Sequence, residues 1–305
     1  MERVQPAIAD SPARARLDPR LIASLAAVYV VWSSTYLAMR LAVHDLPPLL
    51  MASLRFLVAG AVMLAVARGR GVPWPARRAW LRAAVPGSLL FLGGNGLVAI
   101  AETSVSSGGA AVVCATMPLW VGVLGVFTGD RPSVREWASL VLGFIGVVVL
   151  MGGPALAGEP LHVGLLLGAP ICWALGSVLS RKIPKQGPAH GTWMVPATQM
   201  ITGGAMLAVV GALRGERMPT DASAQSWLCL AYLIVFGSIV AFTAYNWLLR
   251  NARPIVATSY AYINPILAVG LGAAVSHETL GISTLVANVL IVSAVAFGLA
   301  KPAKK

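Results

Sequence analysis

The chain has 305 residues, 57% of them hydrophobic and only 11% charged, with a mean hydropathy of +0.77 and a formal net charge of +12. Its apolar runs of about 20 residues match one bilayer crossing each, which excludes a soluble domain. Uninterrupted stretches such as Leu140 to Met151 lack the polar–apolar alternation of a membrane barrel and fit helices, whose backbone groups pair within the span.

Residues 1–20 are polar and Arg-rich and read as a cytoplasmic tail without a cleavable signal, because the first apolar stretch is long enough to be retained. Spans are predicted over 21–40, 48–67, 81–101, 108–127 and 134–152, then over 162–180, 191–213, 225–248, 254–275 and 280–300, before a cytoplasmic tail at 301–305. The expected fold class is an all-α integral membrane protein with ten transmembrane helices. Two units, 21–152 and 162–300, share the order of their landmarks. Trp32 and Arg40 in span one stand eight residues apart, as do Trp173 and Arg181 in span six. Pro118 falls mid-way along span four and is followed by Asp130, while Pro265 falls mid-way along span nine and is followed by Glu278. An odd number of spans per unit turns the second copy upside down, so the two are expected to be inverted repeats.

The placement of the charge explains its sign. With the N-terminus in the cytoplasm, nineteen Lys and Arg residues fall in cytoplasmic segments and three, Arg40, Arg214 and Arg217, on the other side, with Arg55 inside span two. That asymmetry is the positive-inside pattern, and it sets both termini in the cytoplasm. The basic character therefore reads as topology, and no nucleic-acid partner is expected. Arg outnumbers Lys 18 to 5 and Ala and Gly are abundant, which suggests a GC-rich bacterium and hence a bacterial inner membrane.

The loops are too short for an extramembrane domain, so any function resides in the bundle. Small residues on the spans, among them Gly93, Gly94, Gly96, Gly143, Gly146, Gly203, Gly204, Gly270 and Gly272, suit close helix approach. Cys114, Cys172 and Cys229 all lie inside spans and read as packing residues without a disulfide or redox role.

The prolines at 118 and 265 each lack an N–H, which would release the carbonyls of Cys114 and Ala261 and bend the helix; a gate and a static kink are both open readings. Polar and aromatic residues inside the spans form the candidate substrate-binding set: Trp32, Ser33 and Tyr36 in span one, Asn95 in span three, and Trp173 and Ser177 in span six. Tyr245 and Asn246 in span eight join them, with Ser259, Tyr262 and Asn264 in span nine. An amide facing lipid is costly, so the asparagines should point inward, either to a wet cavity or as glue between helices. Arg55 lies about 10 Å into span two at a rise of 1.5 Å per residue and needs a partner; Glu102, at the outer end of span three, is the nearest acid, and their pair reads as a structural bridge or a gate. His44, His162, His190 and His277 fall in loops or at span ends, so no buried catalytic constellation and no metal site are expected, and no cofactor is implied.

At this point the residues carry a family resemblance. Trp32-Ser-Ser-Thr-Tyr, Leu54-Arg55-Phe56, Ser106 to Pro118 leading to Gly129-Asp130-Arg131, and Thr258-Ser-Tyr-Ala-Tyr-Ile-Asn-Pro265 leading to His277-Glu278-Thr279 resemble the EamA-type branch of the drug/metabolite transporter superfamily. The match runs in order along essentially the whole chain. It implies a ten-span carrier of inverted five-helix repeats, with spans one to four and six to nine around a central cavity and spans five and ten at the periphery. Bacterial members of this kind include inner-membrane exporters of amino acids, metabolites and toxic compounds. The small multidrug pumps of the superfamily carry a glutamate in their first span, whereas span one here offers Trp32, Ser33, Ser34 and Tyr36 and no acid, which disfavours cationic-drug antiport on that plan.

The function expected is export of amino acids, aromatic and apolar ones included, by alternating access, with the small-molecule substrate and the lipid bilayer as partners. The fused repeats remove the need for a dimer, so a monomer is expected to suffice. An exporter of drugs or other metabolites, a membrane-embedded enzyme and a passive channel are the alternatives.

Overall fold

The computed structural model describes residues 18–105, 110, 113–150, 159–184, 190–267 and 282–299, and among them no strand is present. In chain order the helices are α1 (Pro19–Ala42), α2 (Pro48–Gly69), α3 (Arg77–Ala101), α4 (Met117–Thr128) and α5 (Val134–Leu150). They continue with α6 (Pro160–Arg181), α7 (His190–Leu213), α8 (Ala224–Asn251), α9 (Pro254–Thr258, resuming after Ser259 over 260–267) and α10 (Ile282–Leu299). Six of them, α1, α2, α3, α6, α7 and α8, are long and apolar enough to cross a membrane. Glu278, His277, Gly270 and Gly272 lie outside the described residues, as do residues 1–17 and 301–305.

Local chemistry sets the ends. Proline opens α1, α2, α6 and α9, where its missing N–H costs nothing and its fixed φ suits the first turn. Glycines at positive φ, Gly71 at 77°, Gly129 at 90° and Gly215 at 75°, turn the chain away after α2, α4 and α7. Span four departs from expectation: Pro118 sits in the first turn of α4, after a turn at Ala115–Thr116, so it starts a helix where a mid-helix kink was expected. The same missing N–H that forbids an interior position favours a first-turn one.

Wide π-helical turns interrupt α3 over Ser88–Gly96 and α8 over Leu233–Val240, a feature that apolar sequence alone does not announce.

Packing follows the small residues. The α2–α7 contact is so close that a Cβ on Gly60 would stand 2.8 Å from Ile201, and Ser53 Oγ donates to the Gly204 carbonyl at 2.9 Å. The α5–α10 contact repeats the device, with Gly146 against Ile291 and Ser139 Oγ donating to the Ala294 carbonyl at 2.6 Å. In lipid such close approach replaces the hydrophobic effect as the force between helices.

Two carboxylates tie the loops of one end together. Glu216 accepts from the N–H groups of Leu49 at 3.1 Å and Leu50 at 2.9 Å, capping α2 from the α7–α8 loop, where the helix dipole favours a negative charge. Asp45 accepts from the Ser223 backbone and hydroxyl, from Ser226 Oγ at 2.8 Å and from His44. Chiefly the Ser223 hydroxyl, then His44 and Ser226, hold the Asp45 carboxyl far below the usual carboxylate range. A carboxyl depressed on folding stabilises above its unfolded value, about 4, and that contribution fades as the pH falls through its folded value. Thermal unfolding of the purified protein should therefore separate wild type from Asp45→Asn at neutral pH, with the gap closing below about pH 4. A gap that does not change with pH would remove the carboxylate as the cause.

Candidate substrate cavity

Between the Trp32 level and the Asp45 end of the bundle lies a cavity with about 770 Å³ of space between its atoms, part of it continuous with the outside. α1, α2, α3, α6 and α8 build its wall, and the broken helices α4 and α9 complete it through Cys114, Met117, Tyr260 and Ala261.

Trp32 is the hub of an aromatic floor. Its ring centroid stands 4.6 Å from Tyr260, 5.0 Å from Tyr245 and 5.6 Å from Trp173, with the Trp173 and Tyr260 contacts edge to face. Such geometries align the positive edge of one ring with the negative face of another. Trp32 Nε1 donates to the Gly237 carbonyl at 3.0 Å, inside the wide turn of α8. A second run of rings, Phe56, Phe91 and Phe242, spaced 4.3 Å and 5.0 Å apart, forms the adjoining wall.

Arg55 lines this cavity although it is 5% exposed. Its Nε donates to Ser238 Oγ at 2.8 Å and its guanidinium carbon lies 4.7 Å from the Phe56 centroid. A Cβ on Gly237 would stand 2.8 Å from Nη2, so only glycine leaves room for the guanidinium there. The expected Arg55–Glu102 pair is not among the ion pairs of the described residues: Arg55 turns towards α8, and Glu102 faces Tyr36 and Cys114, within electrostatic reach of Arg40. Arg55 does not snorkel towards the near surface: Ser238 and the Phe56 face hold its guanidinium inside the bundle.

Of the candidate residues, Trp32, Tyr36, Asn95, Trp173 and Asn264 line the cavity. Asn264, in the amide orientation that satisfies its surroundings, donates to the Tyr29 carbonyl at 3.3 Å and the Tyr260 carbonyl at 3.1 Å, joining α9 to α1. The other candidates lie outside the wall. Ser33 donates to the Val30 carbonyl, and Asn246 to that of Phe242. Ser177 bonds the Trp173 carbonyl and shares a 2.7 Å hydrogen bond with the Tyr245 hydroxyl, holding Tyr245 fully buried behind Trp32. Ser259 shares a 2.6 Å hydrogen bond with Tyr29. Tyr262 faces away, packed on Gly143 with its hydroxyl donating to the Leu140 carbonyl at 2.8 Å. Tyr260 takes the cavity position because two residues along a helix turn the side chain by about 200°. Phe91 and Phe242 were not singled out in the sequence, where a lone phenylalanine in an apolar span carries no signal, and Phe56 entered only within the Leu54-Arg55-Phe56 motif.

At the opposite end of the bundle a second, more polar cavity of about 1020 Å³ is lined by Asp130, Arg131, Glu136, Arg181, Arg250 and Arg253. Arg181 pairs with Asp130 at 3.4 Å, and Arg253 pairs with Glu136. Glu136 also bonds Ser133 N and Oγ, while Ser133 Oγ accepts from Glu136 N, a capping box at the start of α5. The Trp32, Tyr245 and Tyr260 layer lies between the two cavities by its position along α1, α8 and α9.

Comparison with known proteins agrees with this picture. The model of the EamA-like transporter family matches residues 20–152 and again 161–299. An uncharacterized inner membrane transporter, YedA of Escherichia coli K12, is 40% identical over 289 residues, covering 93% of each chain. A probable amino-acid metabolite efflux pump of Salmonella typhimurium LT2 is 26% identical over 278 residues, covering 87% of this chain and 90% of its own. A protein crystal structure superposes with a TM-score of 0.72 over 92% of this chain and 96% of that one at 22% identity, a likeness of fold. The bundle and its midspan cavity define a multi-pass membrane transporter. The chain belongs to the EamA-like transporter family, and its setting is the inner membrane.

Proposed function

We propose that this transporter exports amino acids, aromatic and apolar ones included, by alternating access about the Trp32–Trp173 floor. The observation that carries the reading is a cavity joining one buried guanidinium to an aromatic floor. Among the described residues Arg55 is hydrogen-bonded only through Nε, which leaves its two Nη groups for a ligand carboxylate. Trp32, Trp173 and Phe91 offer an apolar surface for the side chain at the other end of such a solute. The Salmonella relative, a probable amino-acid metabolite efflux pump, points the same way.

Ten spans in two inverted units suit the same facts. The family model matches twice, once per unit. α3 and α8 carry wide turns at corresponding places, α2 packs on its counterpart α7 and α5 on α10, and Trp32 meets its counterpart Trp173. With both termini in the cytoplasm, the Asp45 end faces outward, and the aromatic layer bars the cytoplasmic side. The breaks at Thr116 and Ser259, with Pro118 and Pro265 close behind them, are the hinges of the exchange between states. Each substrate passes through a single chain.

Cysteine introduced at Pro47 or Ser223 should be labelled by an impermeant thiol reagent from outside intact cells, and cysteine at Gly71 or Arg131 should not, since the loop charges demand that arrangement. Reversed labelling would overturn the orientation. The substrate class is tested by growth: cells overproducing the chain should resist a toxic phenylalanine analogue. Resistance to cationic dyes alone would support the drug-exporter reading instead.

A further inference from the structure

Glu102 is an anomaly in the bundle. It follows directly on the last residue of α3, is 6% exposed, and among the described residues neither of its carboxylate oxygens has a hydrogen-bond partner. A buried charged group without a partner is costly, and a native protein that retains one usually uses it. Its position is between two environments. Thr103 and Ser104, the next residues, are exposed, and Ser104 Oγ shares a 2.6 Å hydrogen bond with His162 of α6. On the other side stand Tyr36 of α1 and Cys114, hydrogen-bonded to one another, and both of these line the substrate cavity.

The charged and titratable groups around it are few. Arg40 from α1 acts on it electrostatically and favours the carboxylate, whereas burial favours the carboxylic acid. Tyr36 and Cys114 supply dipoles and no charge while they hold their protons. His162 is turned to Ser104, and Arg55 of α2 turns towards α8, where its Nε donates to Ser238. Two opposed influences of this kind are what allows one carboxyl to gain and lose a proton during a transport cycle.

We propose that Glu102 is the proton-binding site that couples solute export to proton entry. The inference rests on the transport reading above. In the state open to the Asp45 end, a proton from the outer solution binds one Glu102 oxygen and gives the neutral acid. After the chain exchanges states, that proton leaves to the cytoplasm and the carboxylate is restored, ready for solute to occupy the cavity. No electrons move, and the only bond made and broken is the O–H. The first span offers no acid of its own and acts on this step only through Arg40 and Tyr36.

Two measurements decide it. An infrared titration of detergent-purified wild type should show a protonated-carboxyl band that fades as the pH rises and is missing from Glu102→Gln. Identical titrations would overturn the proton site whatever the solute. In proteoliposomes, an imposed pH gradient should drive labelled phenylalanine above equilibrium in wild type, and this accumulation should be lost in Glu102→Gln when expressed relative to counterflow in the same vesicles. Gradient-driven accumulation that survives in Glu102→Gln overturns the coupling and leaves the transport reading standing. Absence of phenylalanine counterflow in wild type overturns that reading and the coupling with it, while the infrared titration still decides whether Glu102 binds a proton.

Discussion

Replacing Arg55 by leucine is expected to weaken carboxylate-bearing solutes about a hundredfold, since losing a buried, hydrogen-bonded charge partner costs about 3 kcal/mol. The protein itself should tolerate the change. Leucine suits the neighbouring Phe56 and Phe91 rings, and the loss leaves only the Ser238 hydroxyl without its donor. Replacing a buried charge by a well-packed apolar side chain is often neutral or stabilising. Arg55→Lys should fall between, because an ammonium keeps the charge but cannot bond Ser238 and present a planar fork to a carboxylate together. The measurement is inhibition of labelled phenylalanine counterflow by unlabelled solutes at matched protein level. Equal losses for phenylalanine and for phenethylamine, which lacks a carboxylate, would show that Arg55 holds helices together and does not meet the substrate.

Trp32→Ala should be the most damaging single truncation in the floor. It deletes three ring contacts and the hydrogen bond to Gly237 together, and emptying a packed aromatic site costs about 3 kcal/mol or more. Trp32→Phe is the milder change: it keeps a ring against Tyr245 and Tyr260 but loses the N–H donor, at about 1 kcal/mol, and part of the indole's packing surface. The unfolding temperature in detergent should therefore fall steeply for alanine and slightly for phenylalanine. Competition by tryptophan should suffer more than competition by alanine in the Trp32→Ala protein. Equal losses for both amino acids would reduce Trp32 to a packing residue.

Much of the scaffold was legible because the membrane writes it directly into composition. Span lengths, loop charges and the glycines at helix contacts are one-dimensional signals: Gly146 meets Ile291 and Gly143 meets Tyr262, as small residues in lipid should. The cavity was legible only in part, because a helical face is set by rotation. Tyr262 and Tyr260 look alike in the chain, but α9 turns the first to α5 and the second to the cavity. Wide turns in α3 and α8 add further rotation that no residue pattern announces, and through them Gly237 comes to accept from Trp32 and to make room for Arg55. Arg55 was read as seeking an acid; a hydroxyl on Nε and an aromatic face hold it instead, a placement that pairing by charge does not suggest.

Counterflow in proteoliposomes tests the central claim most directly. Vesicles holding the purified chain and loaded with unlabelled phenylalanine should transiently accumulate external labelled phenylalanine. External aromatic and apolar amino acids, and 3-phenylpropionate, should suppress that accumulation, and phenethylamine should do so only at far higher concentration. Absence of the transient, or suppression by phenethylamine as strong as that by 3-phenylpropionate, would contradict a carrier that holds the carboxylate on Arg55 and the side chain on the Trp32–Trp173 floor.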